Sequence, residues 1–439
     1  MGRKILKTLL AICVTILVAE LVFLGVMITR ERSAAPETTV PTTLPATEET
    51  TLPAVTEAPT TVPETTVAPT ETEPVETQPQ EIRYTLTFAG DCTLASDTGN
   101  YFSPHGFIQT VGTDYSYPFR HVAEIFENDD FTIINLESVL ADQGNAAGKL
   151  FTFRGPTAYT QIMTGSSVEA VTLANNHTAD YGKDGYESTV KALGDAGIWF
   201  VEENKTTLIT TESGLTIGLY ADSFYFNVSE IRQNVKKLRD QGAEIVICAF
   251  HWGTEGSYRP TADQKQFARA AIDAGADIVY GHHPHVLQPI EEYNGGYIFY
   301  SLGNFSFGGN HFPRDMDSAI VQVQLLRDSA GKVRLDGLNI IPVSISSMAV
   351  QNNFQPIPYE KDTKEYDRTM SKLDGTFTGP DLVVNYDHLK PTEPPTEAPT
   401  EPPAPEGTQP PADTPADPPV DPPADTPADP PAEPPADPT

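Results

Sequence analysis

Strand-like and helix-like segments alternate through the middle of this chain, and the alternation restricts the fold more than any other feature. Short apolar runs rich in β-branched residues recur, and helical patterns that begin at a polar cap and end at glycine separate several of them. The strand-like runs are residues 84–89, 131–136, 170–173, 215–220, 244–250, 278–280 and 297–302. Alternation of this length predicts an α/β fold with a layered core.

Helix punctuation supports the same interpretation. The predicted helices are residues 118–127, the segment that follows Asp184 and closes at Gly197, the segment that Ser229 caps and Gly242 closes, and the segment that Thr261 caps and Gly275 closes. Further on, residues 319–326 and 333–342 predict an antiparallel pair. We therefore expect the last part of the domain to be all β.

The N-terminus has the composition of a membrane segment. Arg3, Lys4 and Lys7 precede an apolar run over residues 9–28, which is about the length that spans a bilayer as a helix. We expect residues 1–32 to be a short cytoplasmic stub followed by an uncleaved transmembrane signal anchor. This orientation makes the protein a single-pass protein of the cell membrane, with its main domain extracellular.

Two further segments differ in composition from the middle of the chain. Residues 33–80 are rich in Thr, Pro and Glu, residues 391–439 in Pro, Ala and Asp, and both lack Lys and Arg. We expect both to be disordered, which leaves residues 81–390 as the folded domain. The net charge of −32 argues against nonspecific nucleic-acid binding. The domain contains Cys92 and Cys248, too few for a scaffold built on disulfides, and whether they pair is open.

Polar residues follow six of the strand-like runs. They are Asp91, Asn135 and Glu137, Asn175 to His177, His251, His282 to His285, and Asn304. Open α/β sheets bind ligands outside the carboxyl ends of their strands, so we expect these side chains to gather at one edge. Carboxylate, amide oxygen and imidazole together suit Mn²⁺, Fe or Zn²⁺, and thiolate is absent apart from Cys92. The sequence therefore predicts a divalent metal site that is not a structural zinc site.

Six motifs resemble a known family. FAGD, NLES, NNHTADYG, HWGTE, GHHPHVLQPIE and YSLGNFSF occur in this order between about residues 84 and 307. As a set they resemble the bacterial capsule-synthesis proteins of the CapA (poly-gamma-glutamate capsule, PgsA-type) family. The resemblance implies a calcineurin-like metallophosphoesterase fold, in which helices flank a sandwich of two sheets. It covers neither the predicted anchor nor the two tails.

The resemblance also implies roles for individual residues. The implied metal ligands are Asp91, Glu137 in the place of a bridging Asp, Asn176, His251, and two of His282, His283 and His285. Because His283 and His285 are two residues apart, they would project to the same side of an extended segment, and we favour that pair. His282, Glu255 and Asn304 are then expected to support the ligands.

His177 is the implied proton donor or charge stabiliser, and Asp180 is expected to orient it. Two departures from the family of folds leave the number of ions, one or two, open. Metallophosphoesterases usually begin with Asp-x-His, whereas this chain has Asp91-Cys92-Thr93. Glu137, in place of Asp, also lengthens the reach to a bridging position.

Three functional hypotheses follow. The first is a metal-dependent hydrolase outside the membrane that cuts a phosphoester or an amide in a surface polymer. The second is a non-catalytic component of polymer export or attachment that works with capsule-synthesis membrane proteins and contacts an anionic surface polymer or cell-wall material. The third is a wall-surface binding module whose Pro-rich tail engages partners in polyproline II form. The residues alone do not decide whether the protein is an enzyme.

Overall fold

The computed structural model of the protein describes residues 81–386. The predicted anchor at residues 1–32, the linker at 33–80 and the tail at 391–439 lie outside these described residues. Within residues 81–386, no helix combines the length and apolar character needed to cross a membrane.

Sixteen strands and seven helices make up the described region. The strands are β1 (Ile82–Cys92), β2 (Ser96–Asp97), β3 (Phe131–Leu136), β4 (Val139–Leu140), β5 (Phe153–Gly155), β6 (Ala170–Thr172), β7 (Trp199–Val201), β8 (Lys205–Thr210), β9 (Thr216–Ser223), β10 (Ile245–His251), β11 (Ile278–His282), β12 (Ile290–Tyr293), β13 (Gly296–Phe299), β14 (Asp317–Arg327), β15 (Val333–Ser344) and β16 (Ile357–Pro358). The helices are α1 (Phe107–Val111), α2 (Ala123–Glu127), α3 (Thr160–Thr164), α4 (Gly182–Asp195), α5 (Val228–Asp240), α6 (Ala262–Asp273) and α7 (Lys364–Leu373).

Two mixed sheets carry most of the strands. The first sheet has the order β16-β15-β14-β1-β3-β6-β7, and the second has the order β12-β13-β11-β10-β9-β8. The neighbours β1, β3, β6 and β7 are parallel, as are β9, β10, β11 and β13, while the outer pairs are antiparallel. A small third sheet, β2-β5-β4, completes the set.

The sheets pack face to face, and helices cover their outer faces. The central apolar layer joins side chains of β1, β3 and β14 to side chains of β9, β10 and β11. Helices α1 to α4 bury their apolar sides on the outer face of the first sheet, and α5 and α6 do so on the second. Because the central strands are buried on both faces, they read as continuous apolar runs in the sequence. This is the sandwich of two sheets flanked by helices that the resemblance implied.

Several predicted elements are confirmed. The strand at residues 131–136 is β3, the helix that Thr261 caps is α6 with a complete capping box to Gln264, and β14 and β15 form the predicted antiparallel pair. Cys92 and Cys248 are both buried and free.

Other expectations were wrong in detail. The helix predicted at residues 118–127 is only the short α2, because the chain turns before Ala123. The cap of α5 is Asn227, whose side chain accepts a hydrogen bond from the Ser229 amide, so Ser229 is not the cap. The end of the domain is not all β, since α7 packs its Leu373 into the layer between the sheets.

A close backbone approach brings the two sheets together beside Asp91. The chain leaves β13 and crosses to β14, and on the way Gly303 accepts a hydrogen bond from the Asp91 amide at 2.8 Å, while the Phe305 amide donates to the Asp91 carbonyl at 2.8 Å. A Cβ atom added to Gly90 would lie 2.2 Å from the Gly303 carbonyl oxygen. Only glycine fits at position 90, because a side chain there would overlap the backbone of Gly303. This close approach brings the carboxyl ends of both sheets to one edge.

Candidate metal centre

The first sheet contributes two buried carboxylates. Asp91 ends β1, and Glu137 lies one residue beyond β3; both are fully buried. Asn135 lies between them and donates to Asp91 Oδ1 at 3.0 Å and to Glu137 Oε2 at 3.5 Å. The side-chain oxygen Oδ1 of Asn135 accepts hydrogen bonds from Thr172 and Asn175, which fixes the orientation of the side-chain amide. Strand register therefore places the two carboxylates side by side.

The second sheet contributes two buried histidines at adjacent strand ends. His251 of β10 pairs with His282 of β11 in the parallel ladder. His282 Nδ1 lies 2.7 Å from Asp91 Oδ1, and His251 Nε2 lies 3.6 Å from Glu137 Oε1. His282 thus contacts a carboxylate directly, as expected of a supporting residue, whereas His251 faces Glu137 across a gap too long for a hydrogen bond.

The next two histidines are not in an extended segment, which corrects the reasoning that selected them. β11 ends at His282, and the chain then bends, with φ of 94° at His283 and 55° at His285. Positive φ is uncommon outside glycine and clusters at functional sites. The bend around Pro284 still brings the two rings close, with centroids 5.8 Å apart. His285 Nδ1 lies 3.2 Å from Asp91 Oδ2, and His285 Nε2 lies 3.7 Å from Glu137 Oε1.

Five of the six predicted ligands therefore gather in one cluster. Three groups each have candidate ligand atoms within 4.8 Å of one another: Glu137, His251 and His283; Asp91, Glu137 and His285; and Glu255, His283 and His285. Glu137, His283 and His285 each belong to two of these groups. Glu255, expected only to support the ligands, here lies among the candidate ligands themselves.

The side chains fit a cation because several of their buried nitrogen and oxygen atoms have no hydrogen-bond partner among the described residues. Seven atoms of this cluster are buried and have no hydrogen-bond partner among the described residues: Glu137 Oε1, Asn176 Oδ1, both ring nitrogens of His251, His282 Nε2, His283 Nδ1 and Asn304 Oδ1. Buried polar atoms normally find partners, and leaving them without one is costly. Imidazole nitrogens with carboxylate and amide oxygens are the ligands of Mn²⁺, Fe and Zn²⁺.

The two neighbouring asparagines have different environments. The Asn175 amide donates to Asn135 Oδ1 and to the Leu136 carbonyl, and its oxygen accepts from the His177 amide, so this side chain is saturated. Asn176 Oδ1 is buried and free of such contacts. Of the pair, Asn176 is the one whose amide oxygen is available to an ion.

The pKa values of the two buried carboxylates shift in opposite directions. Burial favours the protonated form of Asp91, but hydrogen bonds and charge from His282 and His285 outweigh it and hold the pKa of Asp91 well below its usual range. Burial raises the pKa of Glu137 well above its usual range, and the nearby Asp91 charge adds to the effect. Of the two carboxylates, Asp91 is therefore the one whose surroundings favour the charged form.

The pKa values of the histidines also shift in opposite directions. Burial lowers the pKa of His251 well below its usual range and lowers the pKa of His283 to about 4, so both rings are neutral near pH 7. Burial also acts on His285, but the Glu137 and Asp91 carboxylates outweigh it and raise the pKa of His285 to about 10. A neutral imidazole is the form that binds metals, and His251 and His283 are already in it.

A separate hydrogen-bonded chain lies beside the cluster. His177 Nδ1 is 2.8 Å from Asp180 Oδ2, so Asp180 contacts the ring that it was expected to orient. Asp180 is fully buried, accepts from the Phe153 amide, and forms an ion pair with Lys149 at 2.5 Å. Burial lowers the pKa of His177 despite Asp180, which favours a neutral ring that donates from Nδ1 and keeps Nε2 as an acceptor.

An open cleft of about 560 Å³ gives access to this edge of the sheets. His177, Glu255, His285 and Asn304 line it on the side of the cluster. Residues 382–386, near the end of the described chain, also line the cleft. A substrate that entered the cleft would meet both the cluster and the His177 ring.

Three residues at the site were missed from the sequence. Lys149 binds Asp180 and donates to the Asn176 carbonyl at 2.5 Å, and Phe224 packs its ring against His251 and His283 at 5.5 and 5.0 Å. Tyr386 donates to Glu255. A lone lysine in a loop or a lone aromatic residue carries no pattern, so none of these contacts had a sequence signal.

Comparisons with known proteins identify relatives. The family model described as "Bacterial capsule synthesis protein PGA_cap" matches residues 85–309. Capsule biosynthesis protein CapA of Bacillus anthracis is 30% identical over 292 residues, which cover 60% of this chain and 68% of that protein. PGA biosynthesis protein CapA of Bacillus subtilis (strain 168) is 31% identical over 277 residues, covering 56% and 68%.

Among solved structures, the NAD nucleotidase NadN of Haemophilus influenzae aligns with a TM-score of 0.35 and 11% identity, over 71% of this chain and 66% of that one. The family match itself spans β1 to the crossing after β13 and contains every predicted ligand. The chain belongs to the bacterial capsule synthesis protein family, PGA_cap.

Proposed function

We propose that this protein acts in the biosynthesis of a bacterial surface polymer of the capsule or poly-gamma-glutamate type, as a metal-dependent hydrolase. Membership of the PGA_cap family and the names of the two Bacillus relatives support the biological process. The cluster at the carboxyl ends of both sheets supports the chemistry. The bond that is cut is a phosphoester or an amide.

One observation carries this proposal: seven buried nitrogen and oxygen atoms without hydrogen-bond partners among the described residues gather at one edge of the sandwich. Asp91, Glu137 and His285 would hold one ion, while Glu137, His251 and His283 would hold another. The unpartnered amide oxygen of Asn176 is a further candidate ligand. Neutral His251 and His283 are ready to bind without first losing a proton.

A divalent ion bound here would supply Lewis-acid activation of water and of a phosphoryl or acyl oxygen. The protein's own part is to position the substrate and to move a proton. Asp180 fixes the His177 ring through Nδ1, and His177 lines the cleft, so Nε2 is free to exchange a proton with the attacking or leaving group. His282 holds Asp91 in place as a ligand.

The same proposal includes a location. An anchor at residues 1–32 would hold the domain outside the cell membrane, where a surface polymer is processed or attached. The acidic balance of the chain, −32, would repel a polyanion in bulk, so polymer binding would depend on the ions in the cleft.

Metal analysis and hydrolysis assays on the purified full chain test the proposal. The protein is stripped with chelator, reloaded with Mn²⁺ or Zn²⁺, and assayed on p-nitrophenyl phosphate esters and on γ-glutamyl-p-nitroanilide. His251→Ala is compared with His121→Ala, because His121 is exposed and lies on a turn remote from the cluster. We expect metal-dependent turnover in the wild type and His121→Ala, and loss of at least about 100-fold in His251→Ala.

Each outcome has a defined meaning. A well-folded full chain that binds no divalent ion would overturn the proposal. Bound ions without turnover on either class of bond would instead favour a non-catalytic role in polymer export or attachment.

A further inference from the structure

The last described residues of the chain line the cleft, although they fall outside the family match at residues 85–309. Helix α7 ends at Leu373, and the chain then runs back to the strand ends of the second sheet. We call residues 376–386 the closing segment. Leu382, Val384 and Tyr386 of this segment line the cleft.

Specific contacts fix the closing segment to the loop after β10. The Leu382 amide donates to the Gly256 carbonyl at 2.9 Å, and Asp381 accepts from the Tyr258 amide at 3.0 Å and from Arg259 at 2.8 Å. Gly256 has φ of 75°, and a Cβ atom there would lie 2.7 Å from the Leu382 carbonyl oxygen. The glycine is thus required by the close approach of the closing segment.

Tyr386 connects the closing segment to the cluster. Its hydroxyl donates to Glu255 Oε2 at 2.6 Å, and its ring packs edge-on against Phe151 at 5.0 Å. Glu255, His283 and His285 have candidate ligand atoms within 4.8 Å of one another. A hydrogen bond to one carboxylate oxygen is a common way for proteins to orient a metal ligand.

We infer that Glu255 is itself a metal ligand, with His283 and His285, and that Tyr386 is a positioning residue that acts on the ion through Glu255. The inference rests on the metal site of the proposed function. It adds Glu255 to that site as a ligand and Tyr386 as the residue that positions it. Through Tyr386, the closing segment becomes part of the metal site as well as a wall of the cleft. Residues beyond the family match thereby tune ion binding in this chain.

Calorimetric titration of the metal-free full chain with Mn²⁺ tests this inference without any substrate. Tyr386→Phe removes the hydroxyl and keeps the ring on Phe151. Tyr297→Phe is the matched control, since Tyr297 is the second residue of β13 and pairs with Ile278 at the start of β11, away from the carboxyl ends of the strands. We expect Tyr386→Phe to weaken Mn²⁺ binding about 10- to 100-fold, the range typical of residues that hold a metal ligand in place, and Tyr297→Phe to leave it unchanged.

A double-mutant cycle separates positioning from a general structural effect. In the Glu255→Ala background, Tyr386→Phe has no carboxylate to act on and should not weaken Mn²⁺ binding further. An equal weakening in both backgrounds would overturn the inference, as would unchanged binding in Tyr386→Phe.

Two truncations provide an independent comparison. A stop after Tyr386 removes only the tail, whereas a stop after Gly379 also removes the residues that reach Gly256 and Glu255. We expect the first to bind Mn²⁺ as the full chain does and the second to bind at least as weakly as Tyr386→Phe. Equal binding by both would contradict the inference while leaving the proposed function in place. Absence of Mn²⁺ binding in the wild type would overturn both.

Discussion

At the scale of single residues, the ring nitrogens of the histidines have unlike surroundings. His282 Nδ1 lies within hydrogen-bond distance of Asp91, whereas neither nitrogen of His251 has a hydrogen-bond partner among the described residues. A fully buried histidine without partners is expensive unless something else meets its lone pair. Under the proposed function, we therefore expect His251 to contact an ion and His282 to hold the Asp91 carboxylate.

His251→Ala should therefore lower Mn²⁺ affinity by more than 100-fold, because a direct ligand is lost. His282→Ala should lower it by about 10- to 100-fold, the range typical of residues that hold a ligand in place. Titration of the metal-free full chain measures both values. A larger loss in His282→Ala than in His251→Ala would reverse the two assignments.

A second residue-scale prediction concerns pH. Burial raises the pKa of Glu169 to about 7, and Glu169 accepts from the Thr132 amide between β3 and β6. A carboxyl whose pKa is higher in the folded than in the unfolded state stabilises the fold below pH 4.5, and this contribution is lost as pH rises through 7. Between pH 5 and pH 8 the free energy of unfolding should fall because of this group.

Urea unfolding of the metal-free full chain at both pH values measures the effect. Glu169→Gln does not titrate, so its decrease in stability between pH 5 and pH 8 should be smaller than that of the wild type by about 1 kcal/mol, allowing for the partial exposure of the side chain. Exposed Glu127→Gln, at the end of α2, serves as the control and should behave as the wild type does. Identical pH profiles for Glu169→Gln and the wild type would contradict the prediction.

At the scale of elements, two glycines on regular structure have opposite expected effects. Gly90 lies in β1 where the sheets converge, and a Cβ there would overlap the Gly303 carbonyl. Gly194 lies exposed in α4, where a Cβ would have no neighbour within 4 Å. Gly90→Ala should lower the free energy of unfolding by about 2 to 3 kcal/mol, and Gly194→Ala should raise it by about 0.5 to 1 kcal/mol. Denaturant unfolding of both variants checks the pair, and effects of the same sign would count against the packing described here.

Elements that depend on local pattern were predictable from the sequence, and those that depend on distant contacts were not. β3 and the capped helix α6 follow from apolar runs and a capping box within a few residues. The bend at His283 and His285 depends on carboxylates brought there by another sheet, and an extended segment was wrongly expected. The contact of Tyr386 with Glu255 joins residues 131 positions apart, and nothing local indicates it.

At the scale of the whole molecule, the site exists because two sheets present their carboxyl ends at the same edge. The first sheet supplies Asp91 and Glu137, the second supplies His251 and His283, and the chain that crosses between them supplies Asn304. Polar residues after strands were visible in the sequence, and so was their ligand chemistry. The distances between these side chains depend on how the two sheets pack against each other. Their grouping into sets of candidate ligands could therefore not be predicted from the sequence.

Anomalous X-ray scattering from crystals of the full chain grown with Mn²⁺ tests the central claim most directly. We predict anomalous peaks between the carboxyl ends of the two sheets, one within about 2.0 to 2.4 Å of Glu137 and His251 ligand atoms and a second beside Asp91 and His285. Ordered side chains in this cluster with no anomalous peak between them, at saturating Mn²⁺, would contradict the assignment of a metal centre.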